Sequence, residues 1–207
     1  MCGIGGILSF GKKVPVKTGI LKAMNDSMVH RGPDGDGIFI NSSKLVGLCH
    51  RRLSIIDLSE DASQPMSNRE GDLWISFNGE IYNHKTLREE LESIGAIFKT
   101  DHSDTEVLIL GYQFWGLKKL LKKLDGMFAF AIWDERRSRL VLARDRIGIK
   151  PIYISKRNGV FVFASEIKGL LSHPNIPARL GQMALYHYLT YLTAPAPLTM
   201  FDGIYKI

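Results

Sequence analysis

Residues 3–10 (Gly-Ile-Gly-Gly-Ile-Leu-Ser-Phe) form an apolar run broken by glycines, which predicts a strand. Ile20, Leu21, Met24 and Met28 then recur at three- and four-residue spacing, predicting a helix over 18–29. A turn-rich segment runs from His30 to Gly37, and residues 38–41 and 44–50 predict paired strands. Leu73 to Phe77 predicts a strand ending at Asn78-Gly79, a dipeptide favoured in tight hairpins. Two capping boxes follow: Thr86 with Glu89 ahead of Leu87, Leu91 and Ile94, and Ser103 with Glu106 ahead of Val107, Leu110 and Phe114. Met127 to Trp133 is almost wholly apolar, as in a strand covered on both faces. Arg139 to Ala143, Pro151 to Ile154 and Val160 to Ala164 continue the strand-rich pattern. Many strands with two helical blocks imply stacked sheets flanked by helices. From Pro174 the pattern loosens, and residues 192–197 read as a connector.

Composition adds limits. Hydrophobic residues make up 45% and charged residues 23%, values of an ordinary globular chain that can bury a core without staples. Two cysteines, Cys2 and Cys49, are too few for a disulfide framework, so a reducing compartment, the cytoplasm, is expected. Neither a membrane-length apolar stretch nor a signal-peptide pattern is present, so no membrane partner is expected. The net charge of +6 is dispersed except at Lys118, Lys119, Lys122 and Lys123. Those four interleave with leucines as the solvated face of a helix, and no nucleic-acid partner is expected.

Candidate chemistry lies at five places, each with an ordinary alternative. Cys2 becomes the first residue once Met1 is removed, and would then carry a thiol and a free α-amine together. A thiol is a good nucleophile but only a few per cent ionised near neutrality, whereas an α-amine with pKa near ~7.7–8 can take its proton. The alternative is an apolar residue opening a strand. Cys49, in an apolar run, reads as inert core. His30-Arg31-Gly32-Pro33-Asp34-Gly35 reads as a tight turn, with room for a second role. Arg51 and Arg52 would point to opposite faces of a strand, so one can turn inward to bind a carboxylate; otherwise both are surface residues. Asn78 and Gly79 form either a hairpin turn or a pair of oxyanion donors. Asp104 either favours the helix dipole or pairs with an ammonium group.

Six segments in series carry a resemblance that separates these alternatives. Cys2-Gly3-Ile4, Arg31-Gly32-Pro33-Asp34-Gly35, Arg52-Leu53-Ser54-Ile55, residues 78–83 (Asn-Gly-Glu-Ile-Tyr-Asn), Ser103-Asp104-Thr105-Glu106 and residues 144–151 (Arg-Asp-Arg-Ile-Gly-Ile-Lys-Pro) occur in order. Together they resemble the glutaminase domain of the glutamine-hydrolysing asparagine synthetases, a class of N-terminal-nucleophile glutamine amidotransferases. The wording of the motifs separates this chain from relatives that make amino sugars or purine precursors. The resemblance implies an α+β fold, a four-layer αββα sandwich. It implies Cys2 as nucleophile with its own α-amine as base, and Asn78 and Gly79 as the oxyanion hole. Arg52 is implied to hold the glutamine α-carboxylate, Glu80 and Asp104 its α-amino end, and backbone from Leu53 through Ser54, Ile55 and Ile56 to line the pocket.

The same resemblance divides the chain into a glutaminase domain, 2–173, and an extension, 174–207, leading toward an ATP-dependent synthetase domain. A Ser-Gly-Gly-x-Asp-Ser loop, expected of that domain, does not occur in these 207 residues. The chain is therefore expected to be a fragment that hydrolyses glutamine without a cofactor or metal, while ATP and Mg belong to the synthetase domain. Expected partners are L-glutamine and that domain; a homodimer is compatible with the resemblance. Aspartate is the default acceptor, with surface-polysaccharide or secondary-metabolite acceptors, or a catalytically silent domain, as alternatives.

Overall fold

The strand-forming segments bury both of their faces by stacking two antiparallel sheets. The structure, a computed structural model, describes residues 1–11, 14–53 and 63–207. The first sheet contains β1 (Gly3–Ser9), β2 (Gly35–Ile40), β3 (Val46–Arg52), β8 (Tyr153–Arg157), β9 (Val160–Ala164) and β10 (Tyr205–Lys206). Their order is β10-β8-β9-β1-β3-β2. The second contains β4 (Met66–Ser67), β5 (Leu73–Ile81), β6 (Gly126–Asp134) and β7 (Arg139–Arg144), in that order. Helix α1 (Thr18–Asp26) and α5 (Ile167–Leu171) cover the outer face of the first sheet. Helices α2 (His84–Ser93), α3 (Asp104–Trp115) and α4 (Leu117–Lys123) cover the second. The expected αββα sandwich is what the chain forms.

Residue parity assigns each strand position to a layer. In β1 and β3 the even-numbered Ile4, Val46 and Leu48 face the gap between the sheets, packed against Ala129, Ala131 and Trp133 of β6. The odd-numbered Ile7 and Cys49 face α1 instead, beside Leu21, Met24 and Met28. In β5 the odd Ile75, Phe77 and Ile81 face the outer helices and the even Trp74 faces the gap. Cys49 is fully buried, and burial pushes its thiol far up, which makes it the inert core residue expected.

Several local expectations are corrected. Asn78-Gly79 does not turn: β5 runs through it to Ile81, in unbroken register with β6 from Leu73↔Asp134 to Ile81↔Gly126. Long-range pairing overrides the hairpin preference of the dipeptide. The helix predicted over 18–29 ends at Asp26, and a short 3-10 turn, Val29–Arg31, follows. β2 starts at Gly35, inside the segment read as turn, because its pairing with β3 extends to Gly35↔Arg52. Thr86 is not a cap; α2 starts at His84. Asn83, just before it, is tied to the β6 side of the domain by bonds to Lys123 O (2.8 Å) and from Asp125 N (3.1 Å). Only half of the second box forms. Glu106 N donates to Ser103 Oγ (3.4 Å), but the Glu106 carboxylate accepts from Lys99 N (2.7 Å), Thr100 N (2.8 Å) and Thr100 Oγ1 (2.6 Å).

After residue 174 the chain returns to the first sheet. Ile176 and Ile204 enter its outer core and β10 pairs with β8, whereas α6 (Gln182–Tyr191) buries little besides Ala184. Among the described residues, no helix is long and apolar enough to cross a membrane.

Candidate active site

The N-terminal strand is held at its start by both neighbours. β1 pairs antiparallel with β3 from Gly3↔Arg51 onward, so Cys2 stands beside the end of β3. Leu53 N donates to Cys2 Sγ at 3.3 Å, and Cys2 Sγ lies 3.6 Å from Leu53 O. On the other side Ile4 N donates to Ser165 Oγ (3.0 Å) and Ser165 N to Ile4 O (2.8 Å). Parity continues through the site: Cys2, His50 and Arg52 belong to the gap-facing set of the first sheet, and Asn78 and Glu80 to that of the second.

Arg31 answers what the 30–35 loop does beyond turning. Its Nε donates to Cys2 O (2.9 Å) and its Nη1 to Glu166 Oε1 (2.9 Å), so a nearly buried guanidinium clamps the main chain at Cys2. Burial works against ionisation of Glu166, but bonds from Arg31, His30 and Lys168 outweigh it and hold the carboxyl at about 2. Sequence reasoning missed Glu166. It follows β9, and only the pairing of β9 with β1 brings it to Cys2; no local pattern signals this.

The adjacent arginines separate as alternation requires. Arg51 turns to α1, where its Nε donates to Asn25 O (3.1 Å) and its guanidinium pairs with Asp26. Arg52 lies on the opposite face, that of His50 and the gap, with Leu53 beside it on Cys2. Ser54, Ile55 and Ile56 fall outside the described residues.

The edge of β5 away from β6 supplies the donors. Phe77 N donates to Gln64 Oε1 (2.6 Å), and Ile81 N donates to Asp104 Oδ2 (3.1 Å). Amides at alternate residues of a strand point to the same side, so the Gly79 N–H between them faces this edge too. No described residue accepts from it. The Asn78 side chain is 1% exposed and its Nδ2 has no hydrogen-bond partner among the described residues. A buried amide donor left without an acceptor costs about 1–3 kcal/mol, so its retention needs a ligand or a mechanism to explain it. Gly79 allows the close approach of β6: a β-carbon there would lie 2.2 Å from Met127 O.

Asp104 begins α3 and is buried. Burial raises its carboxyl to about 6, only partly offset by the bond from Ile81 N, and the nearby Glu80 charge raises it further. Glu80 and Asp104 thus form an electronegative corner close to the two donors. Among the described residues, no group of three or more His, Cys, Asp or Glu is placed to hold a metal ion.

A gap-facing thiol, an amide nitrogen without a partner among the described residues, an outward N–H and a carboxylate pair on one end of the sandwich have the chemistry of an amide-cleaving site. A family described as "Glutamine amidotransferase domain" matches residues 1–207. Asparagine synthetase [glutamine-hydrolyzing] 1 of Bacillus subtilis (strain 168) is 43% identical over all of this chain and 32% of its own length. A putative asparagine synthetase [glutamine-hydrolyzing] 2 of Methanocaldococcus jannaschii is 36% identical over all of this chain and 42% of its own length. The chain therefore spans roughly a third of the first relatives it matches. Among solved structures, the glutamine phosphoribosylpyrophosphate amidotransferase of B. subtilis superposes with a TM-score of 0.67 at 25% identity, over 83% of this chain and 43% of that one. The family match over the whole of residues 1–207, together with the layered antiparallel sheets, shows that this chain belongs to the glutamine amidotransferase domain family.

Proposed function

We propose that this domain hydrolyses L-glutamine to glutamate and ammonia through a γ-glutamyl thioester on Cys2. One observation carries the reading: the buried Asn78 Nδ2, without a partner among the described residues, belongs to the gap-facing set that includes Cys2. Glutamine is a zwitterion with a reactive amide at its far end. Arg52 takes the α-carboxylate through paired hydrogen bonds, Asp104 and Glu80 the α-ammonium, and backbone from Leu53 through Ser54, Ile55 and Ile56 lines the side-chain channel. The Cys2 sulfur adds to the amide carbon while its α-amine accepts the thiol proton. Asn78 Nδ2 and Gly79 N–H stabilise the resulting oxyanion. The α-ammonium protonates the leaving nitrogen, ammonia departs, and water activated by the same amine cleaves the thioester to glutamate.

In the full-length protein the ammonia passes to an acceptor activated by ATP and Mg in a synthetase domain. Aspartate, giving asparagine, is the acceptor the synthetase relatives favour. A polysaccharide or secondary-metabolite acceptor is the alternative, and a relative from Gibberella zeae is named amidase chry2, 33% identical over all of this chain. Both cysteines are free thiols, in keeping with a cytoplasmic setting.

The α-amine exists only after Met1 is lost. Met1 is 57% exposed, so its peptide bond to Cys2 is open to an aminopeptidase. Processed protein, verified by intact mass, is expected to release glutamate and ammonia in equal amounts. An alanine inserted between Met1 and Cys2 is expected to abolish release. Turnover by the blocked chain would overturn the α-amine as base.

Asp104 gives a pH test. Its folded-state value of about 6 lies above the ordinary 3.8, so it loses charge as pH falls through 6, and with it the attraction for an ammonium. In a Cys2→Ala variant, calorimetry is expected to show glutamine binding weaken below pH 6, approaching about tenfold per unit. Asp104→Asn should bind weakly with no such dependence. Because the folded value is raised, this group's stabilisation is present at low pH and lost as pH climbs from 3.8 to 6. Asp104→Asn should therefore gain up to about 3 kcal/mol of stability at pH 8. Binding that is level from pH 5 to 7 would remove Asp104 from the ammonium site.

A further inference from the structure

We infer that His50 and Gln64 are positioning residues for the oxyanion donors, gripping Phe77 so that Asn78 and Gly79 are held at a fixed place and angle. The inference rests on the glutaminase reading and deepens it. The ladder between β4 and β5 stops at Met66↔Ile75, short of the donors. The next outward-facing groups of β5 belong to Phe77, and side chains instead of a strand satisfy them. Gln64 Oε1 accepts from Phe77 N at 2.6 Å, and His50 Nε2 donates to Phe77 O at 3.0 Å. Gln64 is itself held, its Nε2 donating to Thr105 Oγ1 (3.1 Å), the residue after Asp104. The main-chain carbonyl of Gln64 sits against β2, where a β-carbon at Gly37 would lie 2.0 Å from it. One connected path thus runs from β3 through Phe77 and Gln64 to α3, and back to β5 where Asp104 takes Ile81 N.

His50 suits this work because it cannot wander or change charge. It is 1% exposed, and burial pushes its ring down to about 4, so it stays neutral with the proton on Nε2. Its Nδ1 has no partner among the described residues, an orphan that a purely space-filling residue would avoid. The peptide joining Phe77 to Asn78 carries the gripped carbonyl on one edge, while the Asn78 N–H points to β6 on the other. Fixing that plane sets the direction of the Asn78 side chain and, one peptide later, of the Gly79 N–H. A shift of ~1 Å in such donors is worth about 10²-fold in rate.

The test compares His50→Leu, which loses the donor, with His50→Gln, whose Nε2 reaches the same position. In processed protein, His50→Leu is expected to lower kcat for glutamate release 10- to 100-fold (a range of about that size) with KM changed by no more than about twofold, and His50→Gln to restore most of it. Equal losses in the two variants, full activity in His50→Leu, or a KM that rises in step would overturn the inference. Amide hydrogen exchange at Asn78 and Gly79 decides independently of catalysis: it should quicken in His50→Leu and not in His50→Gln. Unchanged exchange in His50→Leu would overturn the inference even if kcat falls. A wild type that releases no glutamate defeats the glutaminase reading instead, and the exchange comparison still judges the grip.

Discussion

Replacing Cys2 with alanine is expected to abolish glutamate release, lowering it by at least about 10⁴-fold, while glutamine still binds. Loss of a nucleophile removes the covalent route itself, and comparable losses in covalent hydrolases reach about 10⁶-fold in kcat. Binding should survive because the groups proposed to hold the two poles of glutamine, Arg52 with Asp104 and Glu80, lie on β3, α3 and β5. The main-chain bond from Arg31 Nε to Cys2 O, 2.9 Å in the wild type, does not depend on the side chain at position 2. Calorimetry with glutamine and an assay for glutamate separate the two effects. Mass spectrometry of acid-quenched wild-type enzyme should show a γ-glutamyl adduct on the peptide bearing Cys2. Undiminished turnover by Cys2→Ala, or an adduct on another residue, would refute the mechanism.

The layers of this fold were legible in the sequence because their signals are local. An apolar run such as Met127 to Trp133 has few options besides a covered strand, and Leu117 to Leu124 has few besides an amphipathic helix. Arg51 and Arg52 were legible as a pair split by strand alternation, which requires only their adjacency. The Asn-Gly turn was misread for the opposite reason. Its local preference is strong, but nine residues of β5 in register with β6 outweigh it, and sequence distance hides that pairing. Glu166, His50 and Gln64 were illegible as site residues on the same ground, and Arg31 was legible only as part of a loop with room for a second role. Each acts on a partner at least 13 residues away, from Phe77 to Gln64 up to Arg31 to Glu166 across 135. The resemblance supplied the residues proposed to touch substrate, and the structure supplied the contacts proposed to hold those residues still.

Asn78→Ala is expected to lower kcat by about 10²- to 10³-fold with little change in KM, the usual cost of removing one oxyanion donor. The argument turns on when the amide finds its partner. In the resting protein its Nδ2 has none among the described residues and pays a standing desolvation cost. A group satisfied only as negative charge develops on the amide oxygen stabilises the transition state and not the ground state, which is the condition for raising kcat. Truncation to alanine therefore removes catalysis and also relieves a buried unsatisfied donor, so the variant should be no less stable than the wild type apart from about 1–2 kcal/mol of lost packing. Asn78→Asp makes the converse point. A carboxylate there would repel the oxyanion, so it should be slower than Asn78→Ala at pH 8. Steady-state kinetics on processed protein, with thermal melts of each variant, provide the check. A large rise in KM at constant kcat would mean that Asn78 binds ground-state glutamine, and a collapse in melting temperature would mean that its amide is structural.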